Sequence, residues 1–277
     1  MYFEASIFVE YHSGCHPSPG TQGERSMELT TIATLCGASL LTAVVSAVLG
    51  MAGGIMLLAV MLLFLDPAVA IPIHALVQLT SNSSRTVIHR REVRYDLLWP
   101  FALLLLPAGY FTVPLVQQAP ADLLRLGIGV FVILATWQKK WLLLGFDPER
   151  IPSGPRFALV GAVAGAVGPV VGATGPFIAP FFLGIGLTRF ELIGTKAACQ
   201  AAGHLAKMML FGIMGFAYLE YGPLMLGMAL SVIVGTALGT RFLHHIDDAR
   251  FTQLYKGALT LVAARLIWSG LTEITSA

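Results

Sequence analysis

From Leu29 onward the chain is a succession of apolar runs, and what separates them is short clusters of glycine, proline or basic residues. That punctuation predicts helices at 29–49, 54–65, 70–88, 97–117, 122–144, 157–168, 176–187, 191–216, 222–243 and 251–271. A helix needs about 20 residues to cross roughly 30 Å of hydrocarbon, so most of these segments predict membrane spans. The segments 54–65, 157–168 and 176–187 are too short, since about 12 residues rise only about 18 Å. They predict half-helices, joined through Gly50 to Gly54 in the first half and Pro169 to Pro176 in the second.

Inside two apolar helices runs the same polar stripe: His74, Gln78, Asn82 and Arg85 in one, and Lys196, Gln200, His204 and Lys207 in the other, 122 positions later without a gap. The spacing i, i+4, i+8, i+11 keeps each set on one helical face. Polar groups on one face of a membrane-buried helix are costly and mark an interior site. The same shift lays Gly50 on Gly172, Gly53 on Gly175 and Ala75 on Ala197. Duplication, discontinuous helices and midplane polar groups together are the pattern of a secondary transporter. The expected fold is an all-α polytopic membrane protein, a helical bundle of two pseudosymmetric repeats with broken or re-entrant helices at the midplane.

The expected organisation is a polar N-terminal leader over 1–28, a first membrane repeat over 29–144, a basic inter-repeat loop over 145–156, a second repeat over 157–271 and a short tail over 272–277. The leader lacks the basic and apolar regions of a signal peptide. It reads either as a flexible polar extension or as sequence ahead of a start at Met27. If each broken helix crosses once, the repeats have four spans each and are parallel. If each folds back, three spans remain per half and the repeats are inverted, with Arg241, His244, His245 and Arg250 inside.

Composition places these helices in lipid, most simply the plasma (inner) membrane: 56% of residues are hydrophobic, 12% are charged, and mean hydropathy is +0.77. A soluble chain of this length needs about 25% charge. The net charge of +2 and the absence of a basic stripe interleaved with aromatics exclude a nucleic-acid partner. Cys15, Cys36 and Cys199 share no metal or redox spacing. His244, His245, Asp247 and Asp248 match no metal motif, so neither a metal nor another cofactor is expected. His89, Arg90, Arg91 and Arg94, and the central Lys139, Lys140, Arg150 and Arg156, read as positive-inside loop signals. Trp99, Trp137, Trp141 and Trp268 stand near segment ends, where an interfacial belt is expected.

The glycine-rich break VLGMAGGIMLLAVML resembles the sulfite exporter TauE/SafE family, as do the helix PIHALVQLTSNSSR with its basic HRREVR loop, and GATGPFIAPFF with GTKAACQAAGHLAK. The resemblance covers about residues 30 to 270. It implies a permease that moves sulfite, an organosulfonate or another small oxyanion, usually outward. The chain departs from the family's Thr-Ser pair in the first polar helix, where Thr80 and Ser81 are followed by Asn82 and the repeat-equivalent position is His204.

The residues point to an anion independently. A helix that starts inside the membrane at Gly53 or Gly54 aims unpaired N–H groups and its positive dipole end inward. Thr174, Gly175 and Pro176 repeat the device, and Thr174 adds a hydroxyl donor. Gln78, Asn82, Gln200 and His204 can donate to an oxyanion without a fixed charge, and Ser81 can line the path. His74, Lys196, Arg85 and Lys207 are placed to balance charge. Against this stands ordinary helix packing by small residues and interhelical hydrogen bonds. Export of a monovalent anion can run on membrane potential, at about 2.3 kcal/mol per 100 mV. Uptake would need coupling, with protons taken up by His204 or His74. The competing readings are an intramembrane enzyme, for which the spans hold no nucleophile and base pair, and a non-transporting subunit of a membrane complex.

Overall fold

The computed structural model describes residues 29–49, 53–138, 147, 150–182, 185–242 and 248–276, and the described chain is helical throughout, joined by turns. The first half holds α1 (Leu29–Leu49), α2 (Gly53–Met61), α3 (Pro67–Ile88), α4 (Tyr95–Leu103), α5 (Leu105–Gln118) and α6 (Ala121–Trp137). The second holds α7 (Ser153–Val171), the single turn α8 (Gly175–Ile178) continued by a 3₁₀ turn Ala179–Phe182, and α9 (Arg189–Ile213). A 3₁₀ turn Tyr218–Tyr221 then leads into α10 (Gly222–Phe242), and α11 (Asp248–Ser276) follows. The starts of α8 and α9 lie 122 positions after those of α2 and α3, Gly175 answering Gly53 and Arg189 answering Pro67.

Contacts between named residues fix the sense of each helix. His74 faces His204, His89 stacks on Phe190, and the Arg94 backbone N–H donates to Thr195 Oγ1, so α3 and α9 run antiparallel. Trp137 Nε1 donates to Thr260 and Arg125 to Glu273, which makes α6 and α11 antiparallel too. Gly161 and Gly165 of α7 lie on Phe101 and Leu105, while Gly235 and Gly239 of α10 lie on Leu40 and Val44 of α1. Both of those seams are parallel. The two halves of the chain are thus interleaved: α1 packs on α10, and α7 packs on α4 and α5. Since α1 and α3 run the same way, α2 between them must run back, and α8 does the same between α7 and α9.

Lengths and breaks depart from expectation at several places; the segment 176–187 is no half-helix but the one-turn α8 followed by the 3₁₀ turn Ala179–Phe182, with 185–187 outside any helix. The segment 157–168 is no half-helix: α7 has 19 residues, about 28 Å long. Pro169 is tolerated in its last turn, and the break comes at Gly172, whose φ of 70° suits a residue without Cβ. The segment 97–117 is split at Leu104 with a bend of 41°. Pro107 has no N–H to offer the Leu103 carbonyl, which interrupts the ladder there. Arg156 does not belong to the inter-repeat loop. It sits in the first turn of α7, 4% exposed, and its guanidinium donates to the Ile151 and Phe181 carbonyls.

Among the described residues, three single helices, and a fourth span if α4 and α5 are taken together, are long and apolar enough to cross a membrane. Large apolar side chains outside the core are exposed along these and other helices, as lipid-facing residues are; Trp99 of α4, Trp137 of α6 and Trp268 of α11 are among them. The bundle's two ends differ in charge. At one end Arg125 is held among Asp66, Asp122 and Glu273. The other end carries Arg90, Arg91, Arg94, Arg150 and Arg156, the last three around a cavity of about 430 Å³. His244, His245, Asp247, Lys139, Lys140, Trp141, Cys15, the leader and Gly50 to Ala52 lie outside the described residues.

Candidate functional site

The polar stripes meet at the crossing of α3 and α9. The rings of His74 and His204 stand edge to face with centroids 5.7 Å apart. In an antiparallel pair that register brings Gln78 to the level of Gln200, and Asn82 to the level of Lys196. The two cations at the stripe ends, Arg85 and Lys207, therefore lie toward opposite ends of the bundle and do not form one floor. All of the stripe is buried except Gln200, which is half-buried.

Toward the end marked by Arg125, the site is built from both breaks. The Gly54 carbonyl of α2 accepts from His74 Nε2 at 2.8 Å, and Gln78 lies against Gly54. A carbonyl only accepts, so Nε2 carries the hydrogen and the neutral His74 ring has a bare lone pair at Nδ1. Gly53 is packed so closely on the Thr42 carbonyl and Ser46 of α1 that a Cβ would overlap them. From the other break, the Gly172 carbonyl accepts from Lys207 Nζ. Thr174, His204, Lys207, Gly168 and Gly203 line a cavity of about 10 Å³ between α5, α7 and α9, about the size of one water. The Nδ1 atoms of both histidines are buried with no hydrogen-bond partner. Unpaired buried polar atoms are uncommon, and here two sit together.

About two turns along α3, toward the basic end, Asn82 is occupied by its own helix. Its Nδ2 donates to the Gln78 carbonyl at 2.8 Å, and its Oδ1 accepts from Arg85 Nη2 at 3.1 Å. Arg85 also reaches the Ser81 hydroxyl. Asn82 and Ser81 thus position a guanidinium and do not themselves face the His74 and His204 cluster. Gly175 and Thr174 are buried at the start of α8, but α8 is one turn of four residues, too short for the helix dipole expected there.

The electrostatics are one-sided. Arg85, Lys196 and Lys207 are buried along this seam, whereas none of the acidic side chains described is buried. Buried ions carry a desolvation penalty of several kcal/mol each. An arginine cannot relieve it by losing a proton. The seam therefore favours an anion. Among the described residues no cluster of His, Cys, Asp or Glu could hold a metal ion.

The stripe residues were visible in the sequence; their carbonyl partners were not. Gly54 and Gly172 act through backbone oxygens, which no side-chain pattern announces. Ser39, Thr42 and Ser46, buried on α1 beside the start of α2, were also passed over, although polar residues at i, i+3 and i+7 in an apolar helix are a readable signal.

No curated protein and no solved structure matches the chain. The family profile described as sulfite exporter TauE/SafE matches residues 35–266, which takes in both breaks, both polar helices and the seams of α1 and α7. By that match over most of its length, the chain belongs to the sulfite exporter TauE/SafE family.

Proposed function

We propose that this membrane transporter carries a small sulfur oxyanion, sulfite or a short organosulfonate, outward by alternating access between two inverted repeats. The observation that carries the reading is the buried seam with Arg85, Lys196 and Lys207 and no buried acidic side chain among those described. The antiparallel sense of α3 and α9, and of α6 and α11, supports repeats related by a two-fold axis across the helices, with three spans each and α1–α2 and α7–α8 as re-entrant pairs. The basic end around Arg90, Arg91, Arg94, Arg150 and Arg156 then faces the cytoplasm, by the positive-inside preference.

In this reading the anion rests beside Lys207, Thr174, His204 and Gln200, against Gly175 and the start of α2 at Gly53 and Gly54. Arg85 and Lys196, on the cytoplasmic side, attract it from the cell interior. Rocking of one repeat against the other opens the two sides in turn. An enzyme would need a nucleophile and base in reach of each other, and the seam offers cations and amides instead.

Purified protein in vesicles tests this. Labelled sulfite and methanesulfonate should cross faster than acetate, and His204→Ala should lower both sulfur-anion fluxes about tenfold, as expected for losing one ring contact worth about 1.4 kcal/mol. Flux equal for all three anions, or indifferent to His204→Ala, would place the selective site elsewhere.

A further inference from the structure

The two histidines have a property that anion binding alone does not use. His204 lines the cavity with Lys207 and Thr174, is 4% exposed, and keeps Nδ1 buried without a partner. His74, fully buried, packs its ring on His204 and has its Nε2 hydrogen committed to the Gly54 carbonyl, which leaves the Nδ1 lone pair as a proton acceptor. A structural histidine in a dry bundle satisfies both nitrogens, because an unmade hydrogen bond there is costly. Here two adjacent rings each leave the same atom unsatisfied, next to a cavity.

Among the described residues, the buried charges along the seam that holds these rings are all positive. From α9 come Lys207, one turn from His204, and Lys196, two turns away; from α3 comes Arg85. Helix α2, whose Gly54 carbonyl holds His74, carries no ionisable side chain, nor does the cavity wall contributed by α5, α7 and Thr174. A proton added to either ring therefore meets a like-charged neighbour and no carboxylate. It becomes tolerable when the cavity widens to admit an oxyanion, because the anion offsets Lys207 and accepts from the new N–H. The same proton holds the anion, by the reciprocity of linked binding.

We propose that the His74–His204 pair is a proton-binding site, so that the oxyanion is carried together with one proton. The proton enters from solvent and forms an N–H bond at Nδ1 of His204, with His74 as the adjoining acceptor. It is released when the anion departs and the repulsion from Lys207 returns. A monovalent anion then travels as a neutral load, so that outward movement runs down the anion gradient, is opposed by a more acidic exterior and is indifferent to membrane potential. The proposal rests on the anion-transport reading and adds its stoichiometry.

Vesicles containing the full chain are loaded with methanesulfonate, which stays fully ionised near neutral pH, and a trapped pH dye. An outward methanesulfonate gradient, without ionophore, should make the lumen more alkaline, with close to one proton leaving per anion. The flux should be unaffected when potassium and valinomycin impose a potential. His204→Gln should reduce methanesulfonate flux, and what remains should carry no protons and answer to the potential. His74→Gln, which keeps a donor for the Gly54 carbonyl but no proton site, should lower the proton to anion ratio. Anion flux from the parent protein without proton movement overturns the coupling and leaves the transport reading standing. So does proton movement undiminished in both glutamine variants. Absence of flux of both methanesulfonate and sulfite from the parent removes the transport reading and the coupling with it.

Discussion

Lys207→Met is expected to lower sulfur-anion flux by about 100-fold while the protein keeps its thermal midpoint within about 4 °C. Lys207 is 4% exposed and lines the cavity with His204 and Thr174, and its ammonium group donates to the Gly172 carbonyl. Removing it takes away a charge-assisted hydrogen bond to the anion and the charge that makes the cavity attractive. Hydrogen bonds to charged groups contribute about 1.5–3 kcal/mol each. The loss of about 3 kcal/mol corresponds to about two powers of ten. Stability moves little because two effects oppose each other. Methionine leaves the Gly172 carbonyl without its donor, which costs about 1–3 kcal/mol, but it also removes an ion from the dry interior, and apolar replacements of buried ions are often neutral or stabilising. A lysine that served packing alone would show the reverse, with a fall in thermal midpoint and flux that follows the amount of folded protein. Flux in vesicles and a melting curve of the same sample separate the two.

The Lys207 bond also shows how much of this molecule its sequence reveals. Apolar runs and the duplicated stripe predict the membrane bundle and the buried faces of α3 and α9, because periodicity is a local property and the stripe is longer than three turns. Arg85 and Lys207 are equivalent in the stripe, yet α3 and α9 cross antiparallel and carry them toward opposite ends. Nothing in either stripe fixes the sense of the partner. Likewise Asn82 answers His204 in the alignment, but in space His204 meets His74 while Asn82 turns back to Gln78 and Arg85. The half-helix expected at 157–168 is instead part of the full-length α7, because Pro169 does not end that helix. A proline in the last turn merely removes one hydrogen bond, while the positive φ at Gly172 is what turns the chain. That α2 and α8 each run back between two parallel neighbours follows only from the seams between named residues, which lie far apart in sequence.

Those seams rest on glycine, and the second large effect is expected there. Gly161 and Gly165 stand four residues apart on α7, and a Cβ at Gly161 would overlap the Phe101 carbonyl and backbone of α4. The obstacle is main chain, which cannot rotate away as a side chain would, so Gly161→Val must push α7 off α4. Overpacking of this kind costs about 1–3 kcal/mol, and a β-branched residue against backbone belongs at the upper end. At about 2–4 °C per kcal/mol for a chain of this size, the thermal midpoint should fall by about 6–12 °C. Gly127 on α6 provides the control, since a Cβ there meets nothing within 4 Å. Gly127→Ala should leave the midpoint unchanged or raise it, alanine being the better helix former by about 1 kcal/mol. Gly235 and Gly239 make the corresponding seam between α10 and α1, where Gly235 meets the Leu40 carbonyl. If α1 and α7 are the helices that interleave the two halves, Gly235→Val should be about as damaging as Gly161→Val, and the pair in one chain should lose more than either alone. A midpoint unmoved by Gly161→Val would mean that the α4–α7 seam is not close-packed, and the interleaving of the two halves would lose its physical basis.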